Sequence, residues 1–169
     1  MNEIFIIIGA FFCLRLTTLF FSIRNEKRIK GLGAVEYGHG NSALLTLAHI
    51  AYYAAAIYEC YASAAMFDNV SMVGVGVMAF AYVVLFYVIY KLRDIWTVKL
   101  YILKNQRIDR SFLFRNVRHP NYFLNIIPEL IGTALLCHAW YTLCIGLPIY
   151  LVPLFVRIRQ EEQAMKGMI

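Results

Sequence analysis

The chain has 169 residues, a net charge of +6, 61% hydrophobic residues and only 15% charged residues. A soluble domain averages about 45–50% apolar and about 25% charged residues, and a chain this short could not bury so much apolar surface by itself. The composition therefore excludes a disordered chain, a disulfide scaffold and an ordinary water-soluble enzyme. It indicates a compact integral membrane protein with a single domain over residues 1–169.

Three apolar segments, residues 4–23, 43–67 and 70–92, each match the roughly 20 residues that cross a bilayer. A fourth apolar stretch, residues 122–156, is interrupted by His138-Ala139-Trp140. This interruption predicts a helical hairpin with arms of about 16 residues, or roughly 24 Å each. The sequence thus predicts an all-α integral membrane protein with about five transmembrane helices, a C-terminal helical hairpin and a short cytoplasmic tail helix.

The basic residues predict the orientation of the chain. Apart from Arg15, all Lys and Arg residues follow the first span, follow the third span or lie in the C-terminal tail. By the positive-inside rule these three regions are cytoplasmic, and the N-terminus is outside. Topology and anionic lipid headgroups account for the positive charge, so we expect no nucleic-acid partner. The four cysteines show no Cys-x-x-Cys spacing, and we expect no metal site.

The segment that points to chemistry is Arg-Asn-Val-Arg-His-Pro-Asn-Tyr at residues 115–122. Pro120 disfavours helix at His119 and suits the first turn of a helix that begins near Asn121. Free backbone N–H groups at such a helix start, with Arg118 and His119 beside them, would form a site for a carboxylate or another anion. The alternative interpretation is an ordinary interfacial helix cap with basic anchors.

The C-terminal tail supplies a second polar group, Arg-Ile-Arg-Gln-Glu-Glu at residues 157–162. The paired carboxylates of Glu161 and Glu162 could receive an ammonium group or ribose hydroxyls. Arg157 and Arg159 could hold a carboxylate through two hydrogen bonds. The alternative interpretation is a solvated helix end with exposed charge pairs.

Together these motifs resemble a known family. Arg-His-Pro-x-Tyr at residues 118–122, a short hydrophobic hairpin and Arg-x-Arg…Glu-Glu at residues 157–162 are similar to the isoprenylcysteine carboxyl methyltransferase family. Residues 93–99 and the first loop, with residues 24–27 and 33–38, resemble its short bacterial members. One departure is Leu124, where the family often has glycine.

The resemblance implies a membrane-embedded methyltransferase that uses S-adenosylmethionine, with the cofactor-binding part at about residues 93–169 and the cofactor at the cytoplasmic face. It implies the cofactor-binding residues Arg118, His119, Pro120, Asn121, Tyr122, Glu161 and Glu162. The candidate catalytic residues are Glu129, Arg157 and Arg159. A lipophilic acceptor would enter sideways from the surrounding membrane lipid, and the expected location is the cytoplasmic membrane of a bacterium.

Charged residues inside the spans predict one further contact. Intramembrane charges are costly and usually pair inside the bundle. Arg15 lies about 12 Å and Glu129 about 11 Å from the cytoplasmic ends of their helices, whereas Glu59 lies nearer the outer face. We therefore expect an Arg15–Glu129 contact near the floor of the pocket. Glu129 would either fix helix packing or face the acceptor or the sulfonium.

The second span carries a polar stripe with helical spacing, formed by His49, Tyr52 or Tyr53, Ala56 and Glu59. This stripe either lines an acceptor tunnel or makes hydrogen-bonded helix contacts. If the reaction needs a base, the candidates are Glu129, His49 and His39.

The short bacterial branch of the family implies O-methylation of a lipid-like enol or phenol, such as an alkylpyrone or alkylresorcinol. One alternative is carboxyl methylation of an isoprenylcysteine-type substrate. Another is an NADPH-dependent membrane reductase, since membrane sterol reductases share a similar His-Pro-x-Tyr hairpin but are generally larger. The last alternative is a non-enzymatic membrane scaffold. The sequence leaves the oligomeric state open.

Overall fold

The computed structural model describes residues 2–103, 117 and 119–166. The helices are α1 (Asn2–Gly31), α2 (His39–Ala62), α3 (Asn69–Leu92), α4 (Asn121–Cys137) and α5 (Thr142–Met165), and the strands are β1 (Val35–Tyr37) and β2 (Leu100–Ile102). A short 3-10 turn, Arg93–Ile95, follows α3. Helices α1, α2, α3 and α5 are long and apolar enough to cross a membrane, whereas α4 is shorter. The predicted all-α membrane fold is confirmed, with four helices of full span length among the residues described.

The predicted C-terminal hairpin is also present, and it turns at His138, which adopts a left-handed conformation with φ of 53°. Its second arm is longer than expected, because α5 runs for 24 residues through Arg157 and Glu162. The residues of the predicted short tail helix are helical as the end of α5, and no tail helix of its own is seen among the described residues. Residues 157–166 are mostly good helix formers and contain no glycine or proline, so nothing interrupts the helix there.

Both hairpin arms begin with a widened helical turn. The π-helical turns Asn121–Ile126 and Thr142–Gly146 end just before Pro128 and Pro148. A proline has no N–H to donate to the preceding turn, and a π-helical turn changes which carbonyl groups need a donor. The first of these turns carries the residues that follow Pro120 into the bundle.

Helices α3 and α4 pack closely through two glycines. A Cβ atom on Gly74 would lie 2.5 Å from the backbone nitrogen of Leu136 and 2.7 Å from the carbonyl oxygen of Gly132. A Cβ atom on Gly132 would lie 2.6 Å from Cγ of Met78. Small residues permit such backbone contact in membrane helices, and this contact fixes the position of α4.

The ends of α1, α3 and α5 and the starts of α2 and α4 lie at one end of the bundle, called here the site end. Strands β1 and β2 pair there in antiparallel fashion, with Val35 opposite Ile102. The Tyr101 hydroxyl donates to Glu26 (3.0 Å) and Glu36 (2.6 Å), and burial together with the Glu36 contact raises the pKa of Tyr101 to about 12. This small sheet adds to the predicted all-α fold, since three-residue strands carry too little alternation to detect.

At the opposite end, carboxylates cap two helices. Asp68 accepts hydrogen bonds of 2.9 Å from the backbone N–H groups of Val70 and Ser71 at the start of α3, and the Ser71 contact lowers the pKa of Asp68. Glu59 accepts from the backbone N–H groups of Tyr141 (2.9 Å) and Thr142 (3.0 Å). Glu59 therefore caps α5 and does not pair with Arg15, as its depth predicted.

Candidate active site

The start of α4 places His119 beside Tyr122. The two rings stack with centroids 5.8 Å apart, and His119 is buried at 9% exposure. The carbonyl oxygen of His119 accepts from the backbone N–H groups of Tyr122 (3.1 Å) and Phe123 (3.2 Å). These two N–H groups are therefore engaged within the helix, and the expected anion site cannot use them.

The last turns of α5 bring two carboxylates to this pair of rings. The Tyr122 hydroxyl donates to Oε2 of Glu161 over 2.6 Å. In His119, Nδ1 lies 3.6 Å from Glu161 and Nε2 lies 3.3 Å from Glu162. The Glu161 carboxylate, with a smaller contribution from Glu162, raises the pKa of His119 against the opposing effect of burial. The two sequence motifs thus meet in space at the site end.

Arg157 lies one helical turn before Glu161 and is only 3% exposed. Its guanidinium donates to the Ser42 hydroxyl (2.7 Å) and to the carbonyl oxygen of Val98 (3.0 Å). It also interacts electrostatically with Tyr122 and Glu161. Arg157 therefore ties α5 to α2 and to the segment after α3, directly beneath the carboxylates.

The structure does not gather every predicted site residue. Arg159 is exposed, because two residues along a helix place it on the face opposite Arg157. Pro120 is buried next to His119, and Asn121 accepts a hydrogen bond from Asn125 (3.1 Å). Arg118 lies outside the described residues.

An open cleft lies at the site end, next along α5 to the carboxylates but not lined by them. Sequence reasoning had assigned none of its lining residues to the site. The cleft is lined by Tyr37, Gly38, Gln160, Gln163 and Ala164. Gly38 has φ of +65°, and a Cβ atom there would lie 2.1 Å from Oε1 of Gln160. The signal available in the sequence was the glycine before α2, since glycine permits both this backbone conformation and this close approach.

A second polar cluster lies deeper in the bundle around Glu129, which is fully buried. Arg15 donates to its Oε2 over 2.5 Å, while the hydroxyls of Tyr53 (2.8 Å) and Tyr82 (3.1 Å) donate to its Oε1. Nε2 of His49 lies 3.9 Å from the same Oε1. The predicted Arg15–Glu129 contact is confirmed. Both oxygens of Glu129 already accept hydrogen bonds.

The site end and the Glu129 cluster form two layers of polar residues, and their separation is the same on three helices. Seven residues separate Tyr122 from Glu129 on α4, Ser42 from His49 on α2, and Tyr150 from Arg157 on α5. Seven residues make about two helical turns, so each pair shares a face at a distance of about 10 Å. The Glu129 cluster is therefore the floor beneath the His119–Glu161 layer.

Comparisons with known proteins agree with this architecture. The chain matches the isoprenylcysteine carboxyl methyltransferase (ICMT) family over residues 72–167. An uncharacterized protein of Haemophilus influenzae is 56% identical over 152 residues, which cover 90% of this chain and 88% of the relative. The uncharacterized protein YpbQ of Bacillus subtilis is 24% identical over 143 residues, 85% of this chain and 84% of the relative. No solved structure shows significant similarity to this chain.

Proposed function

Since this chain belongs to the isoprenylcysteine carboxyl methyltransferase family, we propose that it transfers a methyl group from S-adenosylmethionine to an oxygen of a lipophilic acceptor in the membrane. The observation that carries the proposal is the junction of His119 and Tyr122 with Glu161 and Glu162 at one end of a multi-pass bundle. This junction gathers carboxylate, imidazole and phenol groups at the site end, where an open cleft is lined by other residues of α5 and by Tyr37 and Gly38.

The residues at the junction fit S-adenosylmethionine, which carries an ammonium group, a carboxylate and a ribose diol. In our proposal Glu161 and Glu162 accept hydrogen bonds from the ammonium or the ribose. The buried Nδ1 of His119 has no hydrogen-bond partner among the described residues and is available for another polar contact. Pro120 and Asn121 directly follow His119 in the chain, and we propose Arg118 as a further cofactor-binding residue on the strength of the family resemblance.

When bound, S-adenosylmethionine supplies an electrophilic methyl group on a sulfonium. The task of the protein is then to hold the acceptor in line and to exclude water. Arg157 anchors α5 to Ser42 and Val98 and so keeps Glu161 within hydrogen-bond distance of Tyr122. Glu129 acts as a positioning residue in the floor, because its carboxylate is already saturated. Arg159, on the exposed face, stands outside this set.

We propose an enol or phenol on an apolar tail, such as an alkylpyrone or alkylresorcinol, as the acceptor. The similarity to a bacterial protein of nearly the same length supports the short bacterial branch. We also propose that the site end faces the cytoplasm of a bacterial cell, as the basic loops indicate. Carboxyl methylation of an isoprenylcysteine-type acceptor would use the same site.

The test is methyl transfer by the detergent-purified protein from tritium-labelled S-adenosylmethionine into organic-extractable product. The acceptors are an alkylresorcinol, an alkyl-4-hydroxypyrone and a farnesylated cysteine derivative, with a long-chain alcohol as the control. We expect label in the resorcinol or pyrone ether. Label in the farnesylated cysteine alone would overturn the proposed acceptor, and the absence of label from every acceptor would contradict the proposed reaction.

A further inference from the structure

Most N–H groups of the Arg15 guanidinium make no hydrogen bond to the described residues. It lies on the inward stripe of α1, with Ile8, Phe11, Thr18 and Ser22 at helical spacing. Among the described residues its guanidinium makes a single hydrogen bond, from Nη2 to Glu129. Yet 24% of the Arg15 side chain remains accessible, while Glu129 is completely covered. Unpaired donors at this depth of a membrane helix are costly, so their retention indicates a ligand.

His49 supplies a second, independent observation beside Arg15. Its Nδ1 lies 3.3 Å from the Tyr150 hydroxyl, but its buried Nε2 has no hydrogen-bond partner among the described residues. The His49 side chain is 21% accessible although it also reaches Glu129. Buried polar atoms without partners are rare in folded proteins and need an explanation.

Arg15 of α1 and His49 of α2 both approach the Glu129 carboxylate. The backbone of α1 packs against α4 and the Arg93–Ile95 turn and has little contact with α2. Phe11 and Tyr82 hold α1 to the α3 side, with ring centroids 5.2 Å apart. Arg15 and His49 thus keep accessible surface beside the same carboxylate, that of Glu129.

We propose that Arg15 and His49 form the headgroup pocket for the acceptor, and that this pocket selects an acidic oxygen carried on an apolar tail. The proposal rests on the proposed function and adds to it the residues that hold the headgroup of the acceptor. The free N–H groups of Arg15 donate to the oxygen, and the His49 ring lines the pocket beside the Glu129 carboxylate. Glu129 and the hydroxyls of Tyr53 and Tyr82 keep the guanidinium in place, and Tyr150 orients the imidazole.

The ion pair itself permits a sharp test. If Arg15 serves only to neutralise Glu129, then Glu129→Gln should weaken acceptor binding most. The double variant Arg15→Gln/Glu129→Gln should then restore acceptor binding. If Arg15 binds the acceptor, the double variant should bind the acceptor more weakly than Glu129→Gln does. Glu129→Gln keeps or tightens acceptor binding, because the glutamine oxygen still accepts from Arg15 while the charge of Arg15 is no longer neutralised. The double variant loses acceptor binding.

Dissociation constants are measured in detergent for a long-chain alkylresorcinol and for hexadecanoic acid, with methyl hexadecanoate as the neutral control. We expect the double variant to bind the acidic lipid about 10- to 100-fold more weakly than the unmodified protein, as for the loss of hydrogen bonds to a charged group. Arg15→Lys, which preserves the ion pair but not the planar donor edge, should also weaken binding. A lower dissociation constant for the alkylresorcinol than for hexadecanoic acid, or the reverse, shows which of the two acidic headgroups the pocket prefers.

The control variant is Tyr52→Phe, which removes a buried hydrogen bond to the carbonyl oxygen of Leu130 on the same stretch of α2 and should leave lipid binding unchanged. Equal affinity of the double variant and the unmodified protein, or equal binding of the methyl ester and the acid, would overturn the proposal. S-adenosylhomocysteine binding is measured on each variant. Its retention with loss of lipid binding supports the pocket, whereas its absence from the unmodified protein contradicts the proposed function instead.

Discussion

The Tyr122 hydroxyl donates to Glu161 across 39 residues of sequence and joins the start of α4 to the last turns of α5. The bond exists because the hairpin turn at His138 brings α5 back to the end from which α4 started. Arg157 is anchored one turn below Glu161 and holds this register. The candidate cofactor site is therefore a property of the hairpin as a whole.

Replacing Tyr122 with phenylalanine tests whether this bond shapes the site. The change leaves a buried carboxylate short of one donor, and such a loss costs about 1.5–3 kcal/mol. We expect S-adenosylhomocysteine affinity, measured by calorimetry, to fall about 10-fold or more. Tyr101→Phe is the matched control, because it also removes phenol–carboxylate hydrogen bonds at the site end. Equal effects of the two variants on affinity would contradict a specific role for Tyr122.

His119 makes the stability of the site end depend on pH. Because Glu161 and Glu162 raise its pKa, the protonated imidazole stabilises the folded state fully below the unfolded-state value of about 6.5. That stabilisation disappears as the pH rises through the higher folded-state pKa. His119→Gln should therefore lower the melting temperature more at pH 6 than at pH 9, measured by thermal unfolding in detergent. A loss of the same size at both pH values would refute this account.

The close contact between α3 and α4 predicts that alanine destabilises the protein at Gly74 but not at Gly76. Gly74→Ala places a methyl group against the backbone of Leu136 and Gly132, and overpacking of this kind costs about 1–3 kcal/mol. Gly76→Ala, two residues away, meets nothing within 4 Å. Thermal unfolding should show a lower melting temperature for Gly74→Ala alone. Similar melting temperatures for the two variants would mean that the helices do not approach as closely as described.

The proposed orientation is tested with reporters fused after the C-terminus. A green fluorescent protein fusion should fluoresce, and an alkaline phosphatase fusion should be inactive, because the tail and the basic loops stay in the cytoplasm. An active phosphatase together with a dark fluorescent protein would reverse the orientation and place the site on the outer face.

Much of the site was predictable because membrane depth restricts partners. Arg15 and Glu129 could be paired from their distances to the helix ends, since intramembrane charges have few alternatives. Likewise, a helical hairpin brings its start and its end to the same end of the bundle, so the motifs at His119 and Glu161 could be expected to meet there. The distinction between Arg157 and Arg159 was missed because the two arginines were considered as a pair that could hold one carboxylate. In one continuous helix, only Arg157 shares a face with Glu161.

Other features could not be predicted, for identifiable physical reasons. The approach of Gly38 to Gln160 depends on the angle between α2 and α5, which sequence spacing does not encode. The pairing of β1 with β2 depends on strands too short to show a pattern. The backbone N–H groups of Tyr122 and Phe123 were expected to be free, but the carbonyl oxygen of His119 accepts from both.

The central claim is that the His119–Glu161 layer holds S-adenosylmethionine. The most direct test is calorimetric titration of the detergent-purified protein with S-adenosylhomocysteine, repeated with His119→Ala and Glu162→Ala and with His39→Ala as a surface control. We predict micromolar binding that the first two variants weaken by about 10-fold or more and the control leaves unchanged. A folded protein that does not bind S-adenosylhomocysteine, or that binds it equally well in all variants, would contradict the account.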